Sequence, residues 1–309
     1  MGKTKPNIKR IVKLVFTPSL LILIFIILNF SLSIVLININ KQKDHEIITT
    51  KSSLSTIKEV CNKEIKEVSV IEDKIKELED IDNKLLKIKK EFFENASKYE
   101  SLVLKGKGTK KIAYLTVDDG PYKITPLFLD VFDDYDILAT FFLLGKTNKD
   151  YDAIYKRIAD SGHTVANHTY SHGINKGLYS SVDSFANDVL KQEKFLEEKV
   201  GIKTNILRFP GGSTSAKPNY REKIVSRLRT LNYGYVDWNV STGDAQGGMT
   251  VQKIYNNVIS RLRNKKVIVV LMHDFSKVTL NALPSIIDEL KKRDYIFLPL
   301  FYESSMIKK

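Results

Sequence analysis

Hydrophobic and polar positions along the chain fall into three regimes. From Leu14 to Asn40 no residue is charged, and the run Leu20-Leu21-Ile22-Leu23-Ile24-Phe25-Ile26-Ile27-Leu28 is almost purely aliphatic. A helix of about 20 apolar residues crosses a bilayer core, so residues 14–40 are predicted to be a transmembrane anchor. From 41 to 104 the pattern changes to Lys, Glu, Ile and Leu. Leu54, Ile57, Cys61, Val68, Ile71, Ile75, Leu78, Leu85 and Phe92 recur at alternating spacings of three and four, which is a heptad seam. Glu64, Asp82 and Lys89 interrupt it. This segment is predicted to be a helical coiled-coil stalk that pairs two copies of the chain; a single amphipathic helix packed on the following domain is the alternative. Lys105-Gly106-Lys107-Gly108-Thr109-Lys110 reads as a linker.

From 111 to 309 short apolar runs alternate with helical patterns. Strands are expected at Ile112–Val117, Ala139–Leu144, Thr164–Asn167, Ile206–Phe209, Gly234–Asp237, Val267–Met272 and Ile296–Leu298. Helices are expected at Asp183–Lys199, Pro218–Leu231, Val251–Arg263 and Leu283–Lys292. Such alternation predicts an α/β domain with a parallel sheet, here closed into a barrel. Functional residues then belong at the C-terminal ends of the strands. Asp118 and Asp119, His168, Arg208, Asp237 and His273 all fall there.

Charge refines this picture. The chain of 309 residues carries 49 Lys+Arg against 36 Asp+Glu, a formal charge of +13. That balance favours anionic surroundings, but no nucleic-acid motif accompanies it. Residues 1–13 hold Lys3, Lys5, Lys9, Arg10 and Lys13 and no acid, which places this basic tail in the cytoplasm and the bulk of the chain outside the cell. The apolar run ends without a small-residue cleavage pattern, so an uncleaved single-pass anchor is expected rather than a signal peptide. Cys61 is the sole cysteine. It excludes an intramolecular disulfide and a cysteine-based zinc cluster, and is expected to be a buried free thiol.

The chemistry concentrates in three segments. His168 and His172 stand four apart, so a helical turn would point both imidazoles at one ion. The residue after His168 is Thr169, which excludes the His-Glu-x-x-His protease arrangement. Asp118 or Asp119 can supply a third ligand, leaving an open position for water, a set that suits Zn²⁺ or another divalent ion such as Co²⁺. The other carboxylate is then free as a general base, since coordination brings the pKa of water toward about 7. His273 can donate a proton to a leaving group if Asp244 or Asp237 holds its tautomer. Arg208 can pair with the base, and Gly211-Gly212 can bring backbone N–H groups close to an oxyanion.

Together these residues resemble the polysaccharide deacetylase family (the NodB homology domain) over roughly Lys110 to Leu300. Its first motif, T-F-D-D-G-P, is matched by Thr116 to Pro121 with Val117 in place of Phe. H-[ST]-x-x-H is matched by His168 to His172, R-x-P by Arg208-Phe209-Pro210, the Trp…Asp motif by Trp238 and Asp244, and L-x-H by Leu271-Met272-His273. The resemblance implies a distorted (β/α) barrel and metal-dependent removal of N-acetyl groups from an amino-sugar polymer, with peptidoglycan N-acetylglucosamine of the cell wall as the expected substrate. It makes Asp118 the base and Asp119, His168 and His172 the metal ligands. Arg208 would orient Asp118, and Asp244 would tune His273 as the acid. Trp238, Pro210 and Gly211 would contact substrate, Trp238 lining the acetyl pocket and the backbone near Gly211 donating to the oxyanion. Gly211 and Ala245 stand where many members carry aromatics, and both would open the groove. Competing expectations are deacetylation of an exopolysaccharide or an O-acetylated glycan, and an inactive glycan-binding scaffold. The scaffold predicts missing ligands, and none is missing.

Overall fold

The computed structural model describes Ile26, Asn29 and residues 46–309. The expected basic tail and almost all of the expected anchor therefore lie outside the described residues; Ile26 and Asn29 are helical. Among the described residues no helix is long and apolar enough to cross a membrane.

The chain divides into two units, Met1–Lys89 and Lys90–Lys309. Apart from Ile26 and Asn29, the described part of the first lies in helix α1 (Glu46–Leu104), which continues into the second. Along the expected seam Ile57, Cys61, Ile75 and Leu78 are half-buried, whereas Val68 and Ile71 are each 42% exposed. Ile65 and Val70, off that seam, are exposed as well. Cys61 is a free thiol, half-buried rather than buried.

The second unit begins fifteen residues before the expected linker ends the stalk, because the last turns of α1 carry core residues. Ala96 and Val103 are buried, and Phe93 stacks on Phe301 with ring centroids 4.8 Å apart. The fully buried Glu100 accepts a hydrogen bond from Ser305 N at 2.7 Å.

Then follow β1 (Lys111–Gly120), α2 (Thr125–Asp134), β2 (Thr140–Leu143), α3 (Asp152–Asp160), β3 (Thr164–Asn167), α4 (Val182–Val200), β4 (Ile206–Leu207) and α5 (Pro218–Thr230). The unit continues with β5 (Gly234–Tyr235), β6 (Val240–Ser241), α6 (Val251–Ile259), β7 (Val267–His273), α7 (Lys277–Lys292) and β8 (Tyr295–Phe297). The strands form one parallel sheet in the order β5-β4-β3-β2-β1-β7-β6, with β8 paired to the start of β1. The expected closed barrel is corrected to a curled, open sheet: β5 and β6 are its two ends and do not pair. Both edge strands are two residues long, too short a ladder to close the ring.

Period-two alternation sorts the buried strands into two cores. Ala113, Leu115 and Val117 of β1 and Ile268, Val270 and Met272 of β7 join the helix layer formed by α2, α3, α6 and α7. Ile112, Tyr114, Val267 and Val269 face the concave side, with Phe142, Ala166, Ile206 and Val236. That side is plugged by Leu300, Phe301 and Ile307 from the C-terminal tail and by Ala96 and Val103 of α1. β1 and β7 run in register from Ile112↔Val267 to Asp118↔His273, so two candidate proton-handling residues end up on neighbouring strand ends.

Candidate active site

β1 is mostly apolar from Ile112 to Val117, with Thr116 as its one hydroxyl besides Tyr114, and then changes character. Its register with β2 slips between Asp118 and Gly120, a bulge at the strand end. Asp119 takes up the extra residue with φ 68°, a left-handed conformation that Asp tolerates better than most residues. Asp118 and Asp119 thus lie within the observed strand rather than after it, and the bulge turns them differently. Gly120 follows because nothing larger fits: a Cβ there would meet Asp274 Oδ2 at 2.6 Å.

Asp118 is buried and its Oδ1 accepts a hydrogen bond from Arg208 Nη1 at 2.8 Å. The same Nη1 donates to Thr116 Oγ1 at 2.7 Å, and Arg208 Nε donates to the Val236 carbonyl at 3.1 Å. The guanidinium lies 4.2 Å above the Phe142 ring. Arg208 is fully buried; burial pulls its pKa below the usual value and Asp118 opposes that. An arginine stays cationic even so.

The His168–His172 segment is not the expected helical turn. Thr169 and His172 adopt φ of 65° and 50°, which no right-handed turn contains. The loop still brings the two imidazoles together, 5.1 Å apart and tilted by 55°. Asp119 Oδ1 lies 3.2 Å from His168 Nε2 and 3.3 Å from His172 Nε2. Asp119, His168 and His172 form a group whose ligand atoms all lie within 4.8 Å of one another. His168 Nδ1 is 2.8 Å from the Arg208 carbonyl oxygen. A carbonyl can only accept, so Nδ1 carries the proton and donates, and a neutral His168 presents a lone pair at Nε2.

Asp119 Oδ1 is buried and no donor among the described residues is aimed at it. Burial works to raise the Asp119 pKa, but the imidazoles of His168, His172 and His273 outweigh it and hold the carboxyl below its usual range. Burial lowers His172, with Asp119 opposing. A carboxylate beside the Nε2 atoms of two histidines is a donor set that suits a cation at its centre. Two imidazoles and one carboxylate fit a divalent ion with a position left open.

His273 ends β7 and approaches from the other side, its Nε2 3.8 Å from Asp119 Oδ2. Its Nδ1 is 2.7 Å from Asp244 Oδ1, while Asp244 Oδ2 accepts from His273 N at 2.8 Å and from Thr279 Oγ1 at 2.9 Å. Burial alone would lower the His273 pKa. The hydrogen bond and charge of Asp244, helped by Asp118 and Asp119, instead raise it to about 9. Asp244, not Asp237, is therefore the histidine's partner. Asp237 accepts from Ser213 N at 2.9 Å and Ser213 Oγ at 2.6 Å, holding the glycine loop.

In that loop Gly211 and Gly212 have φ of 71° and 85°. Gly212 N donates to the Phe209 carbonyl at 2.8 Å, whereas Gly211 N has no hydrogen-bond acceptor among the described residues. Trp238 is half-buried beside Gly212: a Cβ there would meet the indole at 3.1 Å. The Pro210 carbonyl accepts from Tyr179 Oη at 2.8 Å. Two residues escaped the sequence reading. Thr279 caps Asp244 from α7, a contact that no local pattern announces. Asp274 is fully buried, accepts from Thr125 Oγ1 and is pushed up to about 6 by burial; its place directly after His273 was the available signal.

Comparison with known proteins agrees with this geometry. Residues 105–236 match the family model described as polysaccharide deacetylase. A peptidoglycan-N-acetylglucosamine deacetylase of Bacillus cereus is 33% identical over 205 residues, covering 63% of this chain and 70% of the relative. The catalytic domain of a peptidoglycan N-acetylglucosamine deacetylase from Eubacterium rectale superposes with a TM-score of 0.60 at 38% identity, covering 65% of this chain and 93% of that one. A polysaccharide deacetylase structure from Bacillus cereus gives 0.57 at 30% identity, covering 63% and 94%. The chain belongs to the polysaccharide deacetylase family, and with it to the hydrolases.

Proposed function

We propose that this protein hydrolyses N-acetyl groups of N-acetylglucosamine in cell-wall peptidoglycan, releasing acetate and leaving a free amine on the glycan. Relatives named for that activity support the reading. The observation that carries it is the buried Asp119 oxygen facing both imidazole Nε2 atoms, with two further proton-handling groups at its side.

Asp119, His168 and His172 would hold a divalent ion, zinc being the best fit to a nitrogen-rich set. When bound, such an ion polarises the acetyl carbonyl and makes water acidic enough to attack near neutral pH. Asp118 takes the proton from the attacking water; Arg208, bonded to its Oδ1 at 2.8 Å, holds it in place. The oxyanion that develops on the acetyl carbonyl meets the unengaged N–H of Gly211. His273, charged below its raised pKa, gives a proton to the departing sugar nitrogen, and Asp244 stabilises the imidazolium. Trp238 and Pro210 flank the loop that Gly211 belongs to, and with Gly211 they would line the acetyl pocket.

The rest of the chain serves delivery in this reading. The basic tail 1–13, anchor 14–40, stalk 41–104 and linker 105–110 would tether the domain 111–309 to the outer face of the cell membrane, with the stalk pairing two copies. The scaffold reading requires a lost ligand or proton-handling group, and this chain keeps all of them. Incubating purified protein and Zn²⁺ with wall glycan, poly-N-acetylglucosamine and acetylated xylan tests the proposal. Acetate should come fastest from wall glycan, and Asp118→Asn should abolish it. Release from xylan alone would contradict the substrate assignment.

A further inference from the structure

The two histidines of the metal site sit on a segment that does not favour its own conformation. Thr169 has φ of 65° and His172 has φ of 50°. Left-handed backbone is a genuine outlier for a β-branched residue and uncommon for histidine. Such strain persists only where the surroundings over-determine it.

The segment's amide groups are met by side chains. Asn167 Oδ1 accepts from Thr169 N at 2.8 Å, Thr169 Oγ1 from His172 N at 3.2 Å, and Ser171 Oγ from Gly173 N at 3.1 Å. These acceptors are local and would move with the loop. Two acceptors come from elsewhere: the Leu143 carbonyl of β2 receives His168 N at 3.1 Å, and the side chain of Asp188, on α4, receives Tyr170 N at 2.7 Å and Ser171 N at 2.9 Å through Oδ1. A carboxylate is a stronger acceptor than a neutral group, and it grips the two residues between Thr169 and His172.

The face of α4 around Asp188 continues the clamp. Lys191 Nζ lies 3.7 Å above the Tyr170 ring, and Phe195 meets the same ring edge-on at 5.7 Å. Positions 188, 191 and 195 share one side of a helix. The helix is fixed to the sheet: Gln192 Nε2 donates to the Leu143 carbonyl at 2.8 Å and Asn167 Nδ2 donates to the Val189 carbonyl at 2.9 Å. Tyr170 in turn closes on β2, its carbonyl accepting from Gly145 N at 3.0 Å, and its ring leaves no room there for a Cβ, which would come within 2.2 Å.

We propose that Asp188 is a positioning residue for the metal centre. It pins the strained loop so that His168 and His172 stand at ligand spacing before the ion arrives. The inference rests on the metal-site reading above but not on which glycan is the substrate. Without this carboxylate the loop relaxes toward ordinary φ values, and the two imidazoles separate.

The test is Zn²⁺ affinity of metal-stripped full-length protein, read by competition with a chromogenic chelator, for wild type, Asp188→Ala, Asp188→Asn and Gln192→Leu. Asp188→Ala should bind Zn²⁺ about tenfold or more weakly, the range seen when outer partners of metal ligands are lost. Asp188→Asn keeps an uncharged acceptor and should recover most of the affinity, ending about threefold below wild type. Gln192→Leu removes one of the two donors to the Leu143 carbonyl but leaves the other, His168 N at 3.1 Å, and the Asp188 grip in place, and should leave the affinity within about twofold. Affinity unchanged in Asp188→Ala, or lowered equally in Gln192→Leu, would overturn the proposal. Should Asp188→Ala fail to fold, equal affinity of Asp188→Asn and wild type would do the same. Wild-type protein that binds no Zn²⁺ would remove the metal site itself, an outcome separable from both.

Discussion

Arg208 touches His168 and the Asp118 carboxylate from opposite ends of one residue. Its backbone oxygen is 2.8 Å from His168 Nδ1, and its guanidinium is 2.8 Å from Asp118 Oδ1. The carbonyl sets which imidazole nitrogen keeps a lone pair; the side chain sets where the Asp118 carboxylate points. One residue directly after the short strand β4 thereby aligns the proposed metal ligand with the proposed general base.

Replacing the side chain separates these roles. Arg208→Met leaves the carbonyl in place but strands Asp118 in a dry site. Removing one member of a buried pair costs roughly 3–5 kcal/mol, which urea unfolding of the metal-free protein should show. Acetate release should fall at least about a hundredfold, while His168 remains able to bind metal.

The pH profile should report His273. Its pKa is raised to about 9, so the acid is charged below that value and is lost as pH rises through it. The value of kcat/KM should decline on the alkaline side accordingly. Asp244→Asn removes the main cause of the increase and leaves burial, which pulls the other way. The alkaline limb of the variant should shift to lower pH by more than one unit, with a lower plateau. A limb that stays in place would assign it to another group.

Acid stability has a different source. His163 is buried, its Nδ1 accepts from Ala139 N at 3.0 Å, and burial lowers its pKa to about 4. The unfolded chain binds a proton at about pH 6.5 that the folded chain refuses until about pH 4. Stability is therefore full above about pH 6.5 and declines as pH falls toward 4, by at most roughly 3 kcal/mol from this residue. His163→Gln, which keeps an acceptor without the titration, should flatten that window in urea melts.

Gly120 reports packing beneath the site. A Cβ would press on Asp274, which is fully buried and cannot step aside into solvent. Gly120→Ala should cost about 1–3 kcal/mol and lower acetate release by disturbing the end of β1. Gly247, where a Cβ meets nothing within 4 Å, is the matched control.

Much of this was legible along the chain, and the exceptions have reasons. β1, β3 and β7 announce themselves as apolar runs ending in chemistry-bearing residues. β6 did not, because Val240–Ser241 is a two-residue strand defined by its pairing with Val270 and Leu271. The N-cap of α2 is Ile124 and that of α3 is Tyr151, neither making a side-chain cap, so both lacked the polar start signal that marks α4 at Ser181. α7 begins at Lys277, six residues before the expected Leu283, and carries Pro284 within it, a residue that normally argues for an end or a kink. Within the site, residue types and order were readable from the motifs. The conformation was not: spacing of four suggested a helical turn at His168–His172, whereas Thr169 and His172 adopt positive φ and the amide of Tyr170 between them donates to the distant Asp188. Residue chemistry alone left Asp244 and Asp237 open; the Trp238…Asp244 motif pointed to Asp244, and its 2.7 Å contact with His273 Nδ1 agrees.

The most direct test is anomalous diffraction at the zinc absorption edge from crystals of the protein grown with Zn²⁺. The account predicts a single strong peak enclosed by Asp119, His168 Nε2 and His172 Nε2, lost in His168→Ala. No peak among those side chains, with the protein still releasing acetate from wall glycan, would contradict it.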